Sequence, residues 1–339
     1  MGWNKLLLTC VVTVAATYAQ TVGAEIPGVG DESNEAQRLL HQMQSAAKKV
    51  NFSGILVYQQ GSQVRTSRIT HLHDGKNEVE KLEILDGSPR EYLRKDDEIV
   101  CYLPDIHTLL IEKKIAHDVF PAIFAANPAE LTRYYSIKRG QSQRIAGFET
   151  HEVILEPKDS LRYGYRLAAE KSTRLLLRAQ TVNENNEVIE QITFTQLEIG
   201  NINRVRVKPT FQHVSGWRVE NSAMGQASPG GWSVKNTPPG FKKIREMKRM
   251  IVDLTATPGN TANSSPTSHE VVQMVYSDGV AAISVFIEPG SRNKTEGFSQ
   301  QGALNIAGKR QGDFWLTIVG EVPATAIRQV ANSIEFKTR

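Results

Sequence analysis

Phe52-Ser-Gly-Ile-Leu-Val-Tyr-Gln59 and Val64-Arg-Thr-Ser-Arg-Ile-Thr-His-Leu72 decide the fold, because both are short runs rich in β-branched and aromatic residues, bounded by turn formers. They read as strands. The pattern recurs at Glu78–Leu85, Glu91–Arg94, Glu98–Leu103 and Thr108–Glu112, with Asp74-Gly75 and Asp86-Gly87 as tight turns between runs. It resumes at Thr150–Glu156, Tyr163–Ala168, Arg174–Val182 and Val188–Leu197, where Asn183–Asn186 reads as a hairpin turn. Upstream, Asp31–Val50 carries Ala36, Leu39, Leu40, Met43, Ala46, Ala47 and Val50, the spacing of one amphipathic helix. Asp118–Tyr135 reads as helical in part, with Pro128 suited to open a second short helix. About ten strands and two or three helices therefore fill residues 32–212.

Farther out, Asn221–Val234 holds no charge, and its small, turn-rich stretch from Ala223 to Gly231 reads as a linker. The second unit has strands at Glu270–Tyr276, Ala281–Glu288, Leu304–Gly308 and Phe314–Gly320, then a helix over Pro323–Ile334. Ala256–Ser268, an uncharged Thr/Ser/Asn/Pro/Gly tract, reads as a long loop. The expected organisation is a leader at 1–24, a first domain at 25–215, a linker at 216–232 and a second domain at 233–339. The 339 residues suit two domains. The leader expectation rests on Lys5, the apolar run Leu6–Ala16 and the small-residue site Val22-Gly23-Ala24, which together read as a secretory signal. The run of about 11 residues is too short to span a bilayer. With Cys10 in the leader, Cys101 is left alone, either buried or open to intermolecular pairing, and its apolar neighbours Ile99, Val100, Tyr102 and Leu103 favour burial.

The 40 Lys+Arg against 36 Asp+Glu are too balanced for a protein-wide basic field, which argues against nucleic acid as a partner. Common catalytic signatures are absent: there is no G-x-S-x-G elbow, no Walker A loop and no paired S-x-x-K and K-T-G. His151-Glu152 opens like a zinc-protease helix, but Leu155 stands where the second ligand belongs. His71 and His73 share a strand face, yet no third ligand motif accompanies them, so a polar strand end is the better reading. We expect no enzyme, no cofactor and no metal. Two features point to binding instead. Phe241, Ile244, Met247 and Ile251 fall at helical spacing among Lys242, Lys243, Arg245, Lys248 and Arg249, which reads either as a solvated strand or helix face or as a cationic surface for an acidic partner or lipid phosphates. Phe52, Ile55, Val57, Ile69, Val100, Tyr102 and Leu109 exceed what one helix covers; they line either a filled core or a cupped sheet that takes a hydrophobic ligand.

Phe52-Ser-Gly-Ile-Leu-Val-Tyr58, Arg68-Ile-Thr-His71, Leu85-Asp-Gly-Ser-Pro-Arg-Glu91 and Val100-Cys-Tyr-Leu-Pro104 resemble the N-terminal domain of the MucB/RseB family of periplasmic sigma-E regulators. Pro239-Gly-Phe241, Tyr276–Ile287, Gly302-Ala303 and Val319-Gly-Glu-Val-Pro323 resemble its C-terminal domain, in the right order. The resemblance implies a β-rich α+β fold: a half-barrel of antiparallel strands around helices, similar to the lipoprotein carrier LolA, followed by a smaller α+β domain. It also implies a periplasmic protein that binds the periplasmic domain of a membrane-spanning anti-sigma factor of the RseA/MucA type. Binding would shield that factor from regulated proteolysis until lipopolysaccharide or lipoprotein acyl chains release it. A lipoprotein carrier or chaperone is the alternative, and a homo-oligomer stays open.

Overall fold

The computed structural model describes residues 29–96, 98–113, 128–222, 231–252, 268–290 and 294–337. The leader, residues 118–127, the 223–230 part of the linker and the 256–267 part of the loop lie outside the described residues. The leading helix is α1, Val29–Lys49, and it buries Ala36, Leu39, Leu40 and Met43 on one stripe, as its periodicity requires. The strands are β1 Phe52–Gln60, β2 Gln63–His73, β3 Glu78–Ile84, β4 Arg90–Lys95, β5 Glu98–Leu103 and β6 Thr108–Lys113. After the short α2, Pro128–Leu131, come β7 Tyr135–Arg139, β8 Gln143–Ile145, β9 Phe148–Pro157, β10 Gly164–Glu170, β11 Leu176–Val182, β12 Val188–Ile199 and β13 Arg218–Ser222.

These form one sheet in the order β13-β6-β5-β4-β3-β2-β1-β12-β11-β10-β9-β7, with β8 paired to β9. It is a strand-rich half-barrel with α1 on its inner face. β7 and β8 lacked an apolar alternation strong enough to read; they pair in succession along the side of β9 opposite β10, and β8 turns back through Ala146 and Gly147, both at positive φ. Arg218–Ser222, inside the span read as linker, is instead β13, a parallel partner of β6 at the rim.

The second unit holds β14 Trp232–Val234, β15 Lys242–Val252, β16 Ser268–Ser277, β17 Ala282–Pro289, β18 Gly297–Gln301, β19 Leu304–Gln311, β20 Phe314–Gly320, α3 Ala324–Ala331 and β21 Ile334–Phe336. Its six-stranded sheet runs β15-β16-β17-β20-β19-β18, and β14 pairs with β21. Pro323 caps α3 from just outside rather than filling its first turn. The helical spacing read in Phe241–Ile251 is overturned, because β15 pairs along its whole length with β16. Phe241 precedes the strand and is buried in the core, while Ile244 stands where the register shifts, so the three-residue spacing arises from a bulge.

Candidate ligand cavity and interdomain seam

A strand sends alternate side chains to opposite faces, and paired residues share a face, so the ladder sorts the first sheet into two surfaces. Phe52, Leu56 and Tyr58 of β1 lie on the same face as Ile69 of β2, Leu82 and Ile84 of β3, and Ile192 and Phe194 of β12. That face is the inner one. Toward β7, β9 and β10 it is covered by α1, whose stripe packs on Tyr135, Ile137, Val153, Leu155 and Leu167. Toward β1–β3 it opens into a cavity of about 490 Å3, walled by Leu56, Ile69, Leu82, Ile84 and Ile192 with Val280 of the second unit. A smaller apolar hollow lined by Phe52, Leu177 and Phe194 adjoins it, and a further cavity on the same face holds Tyr92, Cys101 and Leu110. Cys101 is a buried free thiol, and burial raises its pKa.

Of the seven apolar candidates the ladder brings only Phe52 and Ile69 to this face. Ile55, Val57, Val100, Tyr102 and Leu109 point the other way, because two-residue alternation separates Phe52 from Ile55 and Cys101 from Tyr102. The outer face they occupy is strapped by the chain after β12: Tyr102 stacks on Phe211 with ring centres 6.2 Å apart, and Phe211 meets Trp217. Beneath the strap, buried Lys81 sits 3.2 Å from buried Glu91 and donates to the Lys208 carbonyl at 2.9 Å and the Thr210 hydroxyl at 2.8 Å. Of the cationic candidates, Lys242, Lys243, Arg245 and Lys248 lie on β15 and Phe241 is buried; Arg249 pairs with Val271. They form a group separate from the cavity lining.

His71 is almost fully buried; its Nδ1 lies 2.8 Å from the Val50 carbonyl and its Nε2 3.2 Å from Glu78, while its ring stacks on Phe52. That hydrogen bond, joined by Arg94, lowers Glu78 to about 2. Among the described residues no three His, Cys, Asp or Glu side chains gather as a metal site.

Sequence reasoning missed the charged residues of the seam. Arg162, in the loop before β10, is fully buried; it grips Asp159 at 3.0 Å, the second unit's Asp278 at 2.7 Å and the Pro239 carbonyl at 2.6 Å. Its guanidinium also lies over Tyr134, Tyr135 and Phe241. Gly240, at positive φ, packs so close to the Tyr134 ring that a Cβ there would collide with it. Val280, two residues beyond Asp278, inserts into the α1 core. Farther along, Gln60 Nε2 donates to the Gln301 carbonyl at 2.9 Å and Asn305 Nδ2 to the Tyr163 hydroxyl at 3.0 Å. Between these contacts, Glu190 of β12 and Glu321 of the second unit face the cavity. Glu321 opens to cavity solvent yet is crowded by protein, and that crowding, with the Glu190 charge, pushes it up to about 7. Burial raises Glu190 and Tyr58 as well. A carboxylate inside an apolar run, Val188-Ile-Glu-Gln-Ile192, was the available signal for Glu190; nothing local marks Arg162.

Comparison with known proteins places this geometry. Residues 35–212 match the MucB/RseB N-terminal domain model and residues 226–335 the MucB/RseB C-terminal domain model. The chain is 27% identical to the Sigma factor AlgU regulatory protein MucB of Pseudomonas aeruginosa, over 97% of this chain and 95% of that protein. It is 22% identical to the Sigma-E factor regulatory protein RseB of Haemophilus influenzae, over 90% and 93%. Among solved structures, the Pseudomonas aeruginosa MucA/MucB complex superposes with a TM-score of 0.68 at 26% identity, covering 90% of this chain and all of that one. A crystal structure of MucB with MucA(peri) gives 0.67 at 25%, with the same coverage. With both halves of the chain matched, in order and over nearly its full length, the chain belongs to the MucB/RseB family.

Proposed function

We propose that this chain is a non-catalytic periplasmic regulator of an envelope-stress sigma factor. It binds the periplasmic part of a membrane-spanning anti-sigma factor, shields it from regulated proteolysis, and lets go when an amphiphile enters the cavity. The relatives' names and the MucA/MucB complexes support the partner class, and the leader read in residues 1–24 supports export. One observation carries the release step: the apolar cavity under the first sheet is closed on one side by Val280 and Glu321 of the second unit. An acyl chain that fills it touches both units; because the amphiphile prefers the partner-free conformation, its occupancy lowers partner affinity, and bound partner weakens the amphiphile in return. The lining assigned to the amphiphile is Leu56, Ile69, Leu82, Ile84 and Ile192, with Phe52 in the adjoining hollow.

Calorimetric titration of the mature chain with the periplasmic segment of its MucA-type anti-sigma factor, with and without lipopolysaccharide, tests this. Saturable binding weakened about 5- to 150-fold by the amphiphile is expected, the range of a coupling of about 1–3 kcal/mol. Binding that ignores the amphiphile removes the release step, and no binding removes the regulator reading.

A further inference from the structure

A sheet edge presents a row of unpaired backbone donors and acceptors, and proteins with long edges must either blunt them or use them. The six-stranded sheet has two edges, β15 and β18. β18 is five residues long and uncharged, whereas β15 has eleven residues and carries Lys242, Lys243, Arg245, Lys248 and Arg249 against a lone Glu246. Among the described residues β15 is laddered on one side only, to β16. Blunting by charge explains the lysines but not Ile244. That side chain is 60% exposed at the register shift between Lys243 and Arg245, an apolar group turned outward among cations.

A second copy of this chain pairing there would set cations against cations, which cross-strand geometry penalises. An acidic strand meets the opposite situation. We propose that the free edge of β15 docks an extended acidic segment of the partner protein as a seventh strand, with Ile244 as apolar anchor and Lys242, Lys243 and Arg245 facing its carboxylates. This rests on the partner-binding reading above and adds where and how the partner is held. The cations are available at small cost: Lys242 reaches Glu130 only at 3.8 Å with both side chains well exposed, and Lys243 pairs within its own strand with Glu246. The edge also begins at the seam, since Phe241, the residue before β15, lies under the Arg162 guanidinium.

The test is hydrogen exchange and calorimetry on the full mature chain with the periplasmic segment of its MucA-type anti-sigma factor. The wild type is compared with a Lys242→Glu/Lys243→Glu/Arg245→Glu variant whose unchanged circular dichroism and melting show that it is folded. Strand addition predicts new protection of amides within 242–252 on binding, affinity that falls with salt, and at least tenfold weaker binding by the variant. Binding without new protection on β15, or equal affinity for both proteins, overturns the docking site and leaves the regulator reading standing. Absence of binding by the wild type removes that reading and the docking site together. Protection of β15 that appears on raising protein concentration alone, with a dimer in sedimentation, overturns the proposal in favour of self-pairing.

Discussion

The second sheet is filled where the first is hollow, and the difference lies in how much of each sheet its helix covers. α3 has only eight residues, yet with Trp232 and Phe241 it closes a core in which Met274, Ile283, Leu316, Ile318 and Ile327 are fully buried. α1 is longer, but its apolar stripe packs chiefly on β7, β9, β10 and β11, and the first sheet has thirteen strands. It seals the β7–β11 side and leaves β1–β3 with apolar side chains facing space. Similar residue types thus make a filled core in one unit and an open cavity wall in the other. Coverage separates the two, and composition does not.

The largest expected effect comes from breaking the joint between the two. Arg162→Met leaves Asp278 buried without its cation, which costs about 3–5 kcal/mol. Denaturant unfolding should show the loss, with the two units separating into distinct transitions; a single unshifted transition would show that the units are coupled elsewhere. Next is the filled core itself. Ile327→Ala should cost about 2–5 kcal/mol because it opens a void in close packing. Leu82→Ala, at a wall that already faces a cavity, should cost much less, about 1–2 kcal/mol. Equal losses for the two substitutions would erase the distinction between filled and hollow.

The hollow can also be filled on purpose. Leu82→Trp adds a ring into about 490 Å3 of open volume, so stability should shift by less than about 1.5 kcal/mol while amphiphile binding, read by displacement of a fluorescent fatty acid, falls at least tenfold. Unchanged binding would place the amphiphile outside this cavity.

The strands and the leading helix were legible because their signals are local. Alternation in Phe52–Gln59 and the 36, 39, 40, 43 stripe state what each segment buries. Which side of a strand faces the helix is a property of the ladder. Picking apolar residues by type therefore took Ile55 and Val57 from the outer face and overlooked Leu56 between them. β15 misled for a related reason: one bulge residue, Ile244, converts an alternating strand into apparent helical spacing. Arg162 and Glu321 were invisible because their roles depend on a partner unit more than a hundred residues away in sequence.

The smallest expected effect probes that seam by pH. Glu321 titrates at about 7 in the folded protein, against an ordinary 4.5 when the chain is unfolded. Between those values the folded state keeps a proton that the unfolded chain has released, so stability falls as pH rises. The stabilisation is complete below about 4.5 and is lost through about 7, where the Glu321 charge appears beside Glu190 in the cavity wall. Glu321 is solvent-exposed, and screening there keeps the effect below about 4 °C in melting temperature. Glu321→Gln cannot ionise, so its melting temperature relative to wild type should rise between pH 5.5 and pH 8. A constant difference across that range would mean that Glu321 carries its charge throughout and that the seam does not loosen with alkalinity. A rising difference would show that Glu321 gains its charge within this range and that a charged Glu321 beside Glu190 destabilises the fold.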